Sequence, residues 1–161
     1  MKEKELTHFN IQGRAHLVDV NGKPDTERMA IAQGEVVMKR DTLNLIKENR
    51  ITKGDVLAVA QIGGIMAAKQ TSQIIPMCHN LFLTSIDLDF QLKEEDSRII
   101  ITSRIKSIGK TGVEMEALTA VAVAALIIYD MCKAVDRDIT ITNINLVEKR
   151  GGKSGTYRRA E

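Results

Sequence analysis

Apolar and polar residues alternate in two segments of the chain, with the period of two that is typical of half-buried β-strands. The clearer segment is LFLTSIDLDFQL, residues 81–92, and DITITNINLV, residues 138–147, alternates in the same way. RIIITSRIKSI, residues 98–108, follows the charged turn KEEDS and is predicted to return as the second strand of a hairpin. RMAIAQGEVVM, residues 28–38, is predicted as a further strand.

Helical patterns separate these strands. DTLNLIKENR, residues 41–50, is predicted as a short helix with Asp41 as its N-cap. Residues 53–75 place apolar side chains at helical spacing, and Pro76 ends that helix. The element order therefore predicts an α+β fold, a ferredoxin-like βαββαβ sandwich with two long helices on one face of an antiparallel sheet.

The second long helix is predicted from Val113 to Ala134, within the most apolar run of the chain, GVEMEALTAVAVAALIIYDMCKA. Thr111 is its expected N-cap, and Glu114 is placed to complete a capping box. The helix is apolar almost all round, whereas a helix on the surface of a monomer shows a polar stripe. We therefore expect another subunit to cover its outer side.

This apolar run is too short to be expected to span a membrane. Residues 117–129 carry no charge, and a span needs about 20 apolar residues. The polar N-terminal sequence lacks the apolar region of a secretory signal. A soluble, cytoplasmic protein with no membrane partner is the expectation.

Composition adds few constraints on function. The 161 residues favour a single domain, and its two cysteines stand alone, so no disulfide framework is predicted. Lysine and arginine total 23 against 21 acidic residues, which gives no global field for nucleic acid. Residues 1–27 are expected to be a flexible N-terminal segment, and residues 149–161, which contain KRGGKSGTYRR, a basic, glycine-rich tail.

The acidic residues of the long apolar helix are candidates for chemistry. Asp130 and Lys133 are neighbours at i,i+3, so a structural ion pair explains them. Alternatively, desolvation and the helix dipole raise the pKa of Asp130 while Lys133 lowers it, as in a tuned acid/base group. Glu116 lies fourteen residues before Asp130, on the same helix face but ~21 Å away along the axis.

Three short motifs outside this helix are also candidates. MCH, residues 77–79, follows a proline in a loop, where a histidine is more often functional than in a core. Zinc is not predicted, because His8 and His16 make no ligand spacing with this motif. GKT and GGKSG both lack the earlier glycine of a Walker A motif. GGKSG therefore remains either a cationic segment for a polyphosphate or a solvated tail.

Four motifs together resemble one known family. KGDV, IPMCH, GKTGVEMEALTAVAVAALIIYDMCKA and GGKSG occur here in the order and spacing of molybdenum-cofactor biosynthesis protein C, the cyclic pyranopterin monophosphate synthases. The similarity covers roughly residues 16–155. It implies a ferredoxin-like subunit in a hexamer, a trimer of dimers, with active sites between subunits. The implied substrate is 3',8-cyclo-7,8-dihydro-GTP, which becomes cyclic pyranopterin monophosphate with release of pyrophosphate, and no cofactor or metal is implied.

The resemblance also assigns roles to matching residues. Asp130 would be the catalytic acid/base, with Lys133 and Lys53 beside it. Other matching residues would contact the substrate or its triphosphate, and they are Met77, Cys78, His79, Glu114, Met115, Glu116, Lys23, Arg28, Lys149 and Lys153.

Two other classes of function stay open from the residues themselves. An RNA-binding module of the same fold needs stacking aromatics on its strands, and the chain has three Phe, two Tyr and no Trp. A non-enzymatic, ferredoxin-like regulatory domain that binds a small ligand between subunits explains the apolar helix as well as an enzyme does. Asp130 and Lys133 would then be dispensable for chemistry.

Overall fold

The computed structural model describes residues 12–160 and has five strands and four helices in that range. The strands form one antiparallel sheet in the order β2-β3-β1-β4-β5, which confirms the predicted ferredoxin-like α+β sandwich. In chain order the elements are β1 (Thr26–Val37), α1 (Arg40–Lys47), α2 (Val56–Lys69), α3 (Thr71–Ile74), β2 (Leu83–Lys93), β3 (Arg98–Gly109), α4 (Glu114–Cys132), β4 (Thr140–Arg150) and β5 (Tyr157–Arg158).

The core lies between one sheet face and the helices α2 and α4. The strands send alternate apolar residues to this face, among them Ala30 and Ala32 of β1 and Ile101 and Ile105 of β3, all fully buried. Small side chains at the centre let α4 approach the sheet closely, because a Cβ atom at Gly34 of β1 would overlap a methyl group of Val121. The position of α4 is therefore fixed tightly relative to β1.

The helix α4 is apolar on most sides because it is buried on most sides. It packs on the sheet, and α2 packs against it. Its length and composition would allow it to cross a membrane, but 50% of its apolar stretch is buried inside the fold, as in a core helix. The most exposed apolar stripe of the helix layer lies instead on α2, at Val59, Ile62 and Met66. The solvent-exposed surface of α4 is therefore smaller than the sequence predicted.

Two predicted helix caps are wrong. The short helix α1 begins at Arg40, one residue before Asp41, and its N-cap is Lys39. The helix α4 has Val113 as N-cap, with no capping hydrogen bond from a side chain, so the capping box does not form.

Distant partners explain both differences. The carboxylate of Asp136 accepts a hydrogen bond from the backbone N–H of Lys39 (2.9 Å) and another from the hydroxyl of Thr42 (3.1 Å). Glu114 forms an ion pair with Lys149 of β4 (2.8 Å), and its carboxylate lies over Gly112 without a capping hydrogen bond. Contacts between elements therefore set the starts of these helices.

The helix predicted over 53–75 is interrupted near its end. α2 runs from Val56 to Lys69, Gln70 breaks it, and α3 follows before Pro76. Asp55 is the N-cap of α2, and its carboxylate accepts a hydrogen bond from the N–H of Ala58 (3.0 Å). This cap places Lys53 just outside the start of the helix.

Candidate active site

The structure places the predicted catalytic residues together at the C-terminal end of α4. The Asp130 carboxylate lies 2.7 Å from the ammonium of Lys133 and 2.8 Å from that of Lys53. Lys53 Nζ also donates a hydrogen bond to the backbone carbonyl of Asp130 (2.8 Å), one of the carbonyls that the end of a helix leaves without a partner. We call these three residues the Asp130 cluster.

A tight turn positions Lys53. The N–H of Gly54 donates to the carbonyl of Ile51 (3.0 Å), and Ile51 is buried in the core. Gly54 has a φ of 102°, a region that favours glycine. The turn is anchored on one side by Ile51 and on the other by the capped start of α2, so Lys53 is held towards the end of α4.

The charges of the cluster decide between two opposing effects expected from the sequence. Desolvation and the helix dipole are expected to raise the pKa of Asp130 and Lys133 to lower it, and the Asp130 side chain is 56% exposed. Hydrogen bonds from Lys133 and Lys53 lower its pKa to about 2. The hydrogen bond to Asp130 raises the pKa of Lys133. The cluster in the free chain is thus one carboxylate between two ammonium groups.

The neighbouring thiol takes no part as a nucleophile. Cys132 is fully buried behind the cluster, and this burial raises its pKa to about 11. A thiol with such a pKa stays protonated near neutral pH and is a poor nucleophile. Both Cys132 and Cys78 are free.

A second group of predicted residues lines a cavity at the other end of α4. The cavity has a volume of about 600 Å³, and its cationic lining includes Lys23, Arg28, Lys110, Lys149 and Lys153. Glu114 lies among them and pairs with Lys149. We call this the cationic cavity.

Arg28 is the buried cation of this cavity. The residue is 8% exposed, and its guanidinium donates to the carbonyls of Gly109 and Lys110, each at 3.1 Å. Within residues 12–160 no carboxylate forms an ion pair with it. A buried guanidinium with only neutral partners favours an anion in the adjoining space.

The GGKSG motif closes this cavity as a loop between β4 and β5. Gly151 and Gly152 have φ values of 98° and 76°, and a Cβ atom on Gly152 would overlap the Arg28 guanidinium. Glu148 of β4 accepts hydrogen bonds from Arg150 and from Arg158 (3.1 Å to Arg158). The bond from Arg158 joins β5, the strand after the loop, to β4. The segment expected to be a basic tail therefore includes the end of β4 and the two residues of β5.

The MCH motif lines a second cavity, of about 330 Å³. Met77, Cys78, His79, Met115 and Glu116 contribute to it. We call it the Glu116 cavity. It adjoins the cationic cavity, since Lys23, Thr111, Gly112 and Glu114 line both.

Glu116 is the buried acid of this second cavity. The residue is 4% exposed, and desolvation raises its pKa, with a smaller contribution from the charge of Glu114. Burial likewise raises the pKa of Cys78. His79 Nε2 lies 2.8 Å from the carbonyl oxygen of Val18. Because a carbonyl only accepts, this contact assigns the proton to Nε2 and leaves Nδ1 as the acceptor nitrogen of the neutral ring.

The predicted site residues thus fall into two groups that one chain does not bring together. The two cavities lie at the N-terminal end of α4 and the Asp130 cluster at its C-terminal end, and Glu116 and Asp130 are ~21 Å apart along the helix axis. Within the described residues no group of three or more His, Cys, Asp and Glu side chains is placed to hold a metal ion. His8 lies outside the described residues.

Residues 17–152 match the sequence pattern of the MoaC family. This chain belongs to the MoaC family. Three relatives, all named cyclic pyranopterin monophosphate synthase, show the extent of the similarity. The protein of Clostridium acetobutylicum is 60% identical over 154 residues, covering 96% of both chains. That of Heliobacterium modesticaldum is 60% identical over 97% of this chain and 98% of its own, and that of Syntrophomonas wolfei 61% identical over 93% and 96%.

Sequence reasoning missed several residues around the two cavities of this MoaC-family chain. Lys110, Thr111 and Gly112 line the cationic cavity, but the sequence analysis assigns none of them a ligand: GKT lacks the earlier Walker glycine, and Thr111 is expected only as an N-cap. The available signal was position, because a lysine directly after a predicted strand and before a predicted helix lies at the rim of the sheet. Asp136, which is buried beyond the end of α4, gave no sequence signal.

Proposed function

We propose that this protein is a cyclic pyranopterin monophosphate synthase of molybdenum cofactor biosynthesis. It converts 3',8-cyclo-7,8-dihydro-GTP to cyclic pyranopterin monophosphate and releases pyrophosphate. The observation that carries the proposal is the junction of the cationic cavity with the Glu116 cavity, which share Lys23 and Glu114. A substrate with a triphosphate at one end and a guanine-derived ring at the other requires two adjoining compartments of this kind.

The triphosphate would occupy the cationic cavity. Arg28 supplies a buried guanidinium that is suited to bind phosphate oxygens with two hydrogen bonds. Lys149, Lys153 and Lys23 supply further cations, and fixed cations stabilise the charge that develops on a pyrophosphate leaving group. Ligand phosphates would compete with Glu114 for Lys149.

The ring system would occupy the Glu116 cavity. Glu116, His79 and Met115 line it, and the Nδ1 atom of His79 is free to accept a hydrogen bond in the neutral ring. An unpaired carboxylate is costly in a site without water, so Glu116 favours a ligand that donates an N–H hydrogen bond to it. Guanine-derived rings carry such donors, and this supports a ring of that class.

The Asp130 cluster would perform the proton transfers. Ring opening, reclosure and formation of the cyclic phosphate all need protons moved near neutral pH. Asp130 is ionised in the free chain, and Lys53 and Lys133 carry the exchangeable protons. A second molecule that covers this half-exposed cluster would exclude water from it, as acid–base chemistry on the substrate requires.

The active site would form between subunits. The two groups of site residues stand at opposite ends of α4, which is too long for one small substrate to touch both in the same chain. The exposed apolar stripe Val59, Ile62 and Met66 of α2 supports association. The proposed assembly is a hexamer, a trimer of dimers, located in the cytoplasm, with no nucleic-acid or membrane partner.

The test is to incubate the purified protein with 3',8-cyclo-7,8-dihydro-GTP. We expect cyclic pyranopterin monophosphate and pyrophosphate in equal amounts, detected by chromatography and by a phosphate-release assay coupled to inorganic pyrophosphatase. A protein that binds this compound in a calorimeter without producing either product would contradict the enzymatic assignment and favour a regulatory role.

A further inference from the structure

The N-terminal arm, residues 18–25, lies across both cavities. Val18 and Val20 line the Glu116 cavity, and Lys23 lines both cavities at their junction. The arm contains no helix or strand, but the N–H of Lys23 donates to the carbonyl of Val20 (3.0 Å), which closes a turn. The position of Lys23 therefore depends on contacts between this turn and the body of the protein.

Lys110, directly after β3, makes such a contact. Its ammonium donates to the carbonyl oxygen of Lys23 at 2.7 Å and lies 3.5 Å from the carboxylate of Asp25. Its side chain is only about one third exposed (34%), so this charge-assisted hydrogen bond is partly shielded from water. Lys110 thus binds the arm on both sides of Pro24.

The same residue also connects to Arg28. The backbone carbonyl of Lys110 accepts a hydrogen bond from Arg28 Nη2 (3.1 Å). Residue 110 therefore holds two cations of the cationic cavity, Lys23 through its side chain and Arg28 through its main chain. A substitution of the side chain removes the first contact and leaves the second donor–acceptor pair intact.

We propose that Lys110 is a positioning residue, which holds the turn of the arm so that Lys23 faces the polyphosphate at the junction of the two cavities. The inference rests on the proposed function, because it assigns Lys23 a polyphosphate ligand. Lys110 acts through Lys23 and does not act on the ligand itself. One of its N–H groups donates to the Lys23 carbonyl, and the Asp25 carboxylate, 3.5 Å away, partly neutralises its charge.

The first experiment measures the arm without any ligand. Hydrogen exchange of the Lys23 amide reports on the turn, since that N–H is bonded within it. Lys110→Met should speed this exchange about tenfold, the factor expected when the hydrogen bond from the Lys110 ammonium to the Lys23 carbonyl is lost. The matched control is Lys106→Met, which removes the same charge from an exposed position on β3 that lines neither cavity. Unchanged exchange in Lys110→Met would overturn the inference.

The second experiment measures binding of inorganic triphosphate by calorimetry, in single and double variants. We expect Lys23→Ala and Lys110→Met each to weaken binding about tenfold, and the double variant to lose no more than about twofold beyond Lys23→Ala. Lys110→Arg keeps the charge and the N–H donors, so its affinity for triphosphate should be closer to that of the unmodified protein. The affinity of Lys106→Met should equal that of the unmodified protein.

The outcomes separate this inference from the proposed function. Multiplied losses in the double variant, about 100-fold in all, would mean that Lys110 contacts the phosphates itself and would overturn the positioning role. If the unmodified protein does not bind triphosphate, the polyphosphate site of the proposed function fails. The exchange of the Lys23 amide still decides whether Lys110 holds the arm.

Discussion

Two carboxylates of the same helix have pKa shifts of opposite sign. Asp130 is half exposed and lies between two ammonium groups, which lower its pKa to about 2. Glu116 is buried without a cationic partner among the described ion pairs, and desolvation raises its pKa. Two nearby ammonium groups decide the direction of the pKa shift at Asp130, and burial decides it at Glu116.

Replacement of Asp130 tests its catalytic role. Asp130→Asn should reduce turnover by about 100-fold or more, the usual contribution of an acid/base group, because Lys53 and Lys133 lose their carboxylate. The pKa of about 2 keeps Asp130 ionised above its ordinary pKa of 3.8, so the loss should be equal at about pH 6 and about pH 8. Initial rates of pyrophosphate release measure it.

The matched control for this variant is Asp138→Asn. Asp138 also forms an exposed ion pair, with Lys39 at 3.0 Å, but lies outside both cavities and the Asp130 cluster. The turnover of Asp138→Asn should equal that of the unmodified protein. Near-normal turnover in a folded Asp130→Asn protein would return the cluster to a structural ion pair.

The buried acid makes a prediction about stability against pH. The folded pKa of Glu116 is raised, so its protonated form is favoured in the fold, and stability is lost as the pH rises through that pKa. Glu116→Gln removes this loss. The difference in melting temperature between the variant and the unmodified protein should be constant below pH 4.5, the ordinary value, and should grow in favour of the variant above it. A difference independent of pH up to about pH 8 would show that Glu116 does not titrate as a buried acid.

At the scale of elements, the helix starts were set by partners as well as by local sequence. Asp55 caps α2 locally, as its residue type favours. The start of α1 is held instead by Asp136, a carboxylate from beyond the end of α4. Burial raises the pKa of Asp136, but the hydrogen bonds from Lys39, Thr42 and Asp138 outweigh it, and the net pKa is lowered. An ionised, buried acid thereby joins α1 to the segment after the Asp130 cluster.

Replacement of Asp55 and of Asp41, each near the start of a helix, should lower the free energy of unfolding by different amounts. Asp55→Ala removes a cap and should lower the free energy of unfolding by about 1 kcal/mol. Asp41→Ala removes an exposed acid from the first turn of α1, where only the helix dipole favours it, and should cost about 0.3 kcal/mol. Urea unfolding of both variants measures the difference. Equal costs would indicate that Asp41 caps α1 after all.

At the scale of the whole molecule, the separation of the two groups of site residues governs the function. The helix α4 separates the cavities at its N-terminal end from the Asp130 cluster at its C-terminal end. A site assembled between copies would use the cavities of one chain and the cluster of another. Such a site has a property that a site within one chain lacks, because two different inactive chains can complement each other.

Mixed oligomers should therefore recover activity. One chain carries Asp130→Asn and the other carries Lys23→Met with Lys149→Met, so each is defective at one end of α4. Co-expression should give turnover well above the sum of the two proteins alone, because some sites then combine an intact cavity with an intact cluster. Co-expressed Asp130→Asn and Lys133→Met chains, defective at the same end, are the control and should stay inactive. No recovery in the first mixture would place the whole site within one chain.

The sequence by itself determined the order of the longer elements, from β1 to β4, and the family. Alternation along β2 reports burial locally, since each side chain's direction follows from the backbone repeat, whereas the apolar residues of α2 include the exposed stripe Val59, Ile62 and Met66. The motifs resembling the family also pointed to Asp130, Lys133 and Lys53 as one group. These inferences needed no knowledge of which elements touch.

Only the tertiary structure decided the second partner of Asp130, the start of α1 and the cavities. Lys133, an i,i+3 neighbour, is the largest cause of the low pKa of Asp130, and Lys53, 77 residues away in the chain, adds to it from 2.8 Å. The failed capping box at Glu114 and the role of Lys110 likewise depend on partners from other segments, Lys149 and the carbonyl of Lys23. Periodicity cannot report such pairs, because electrostatic and hydrogen-bond energies are set by distance and burial in space, and the chain order contains neither until it folds.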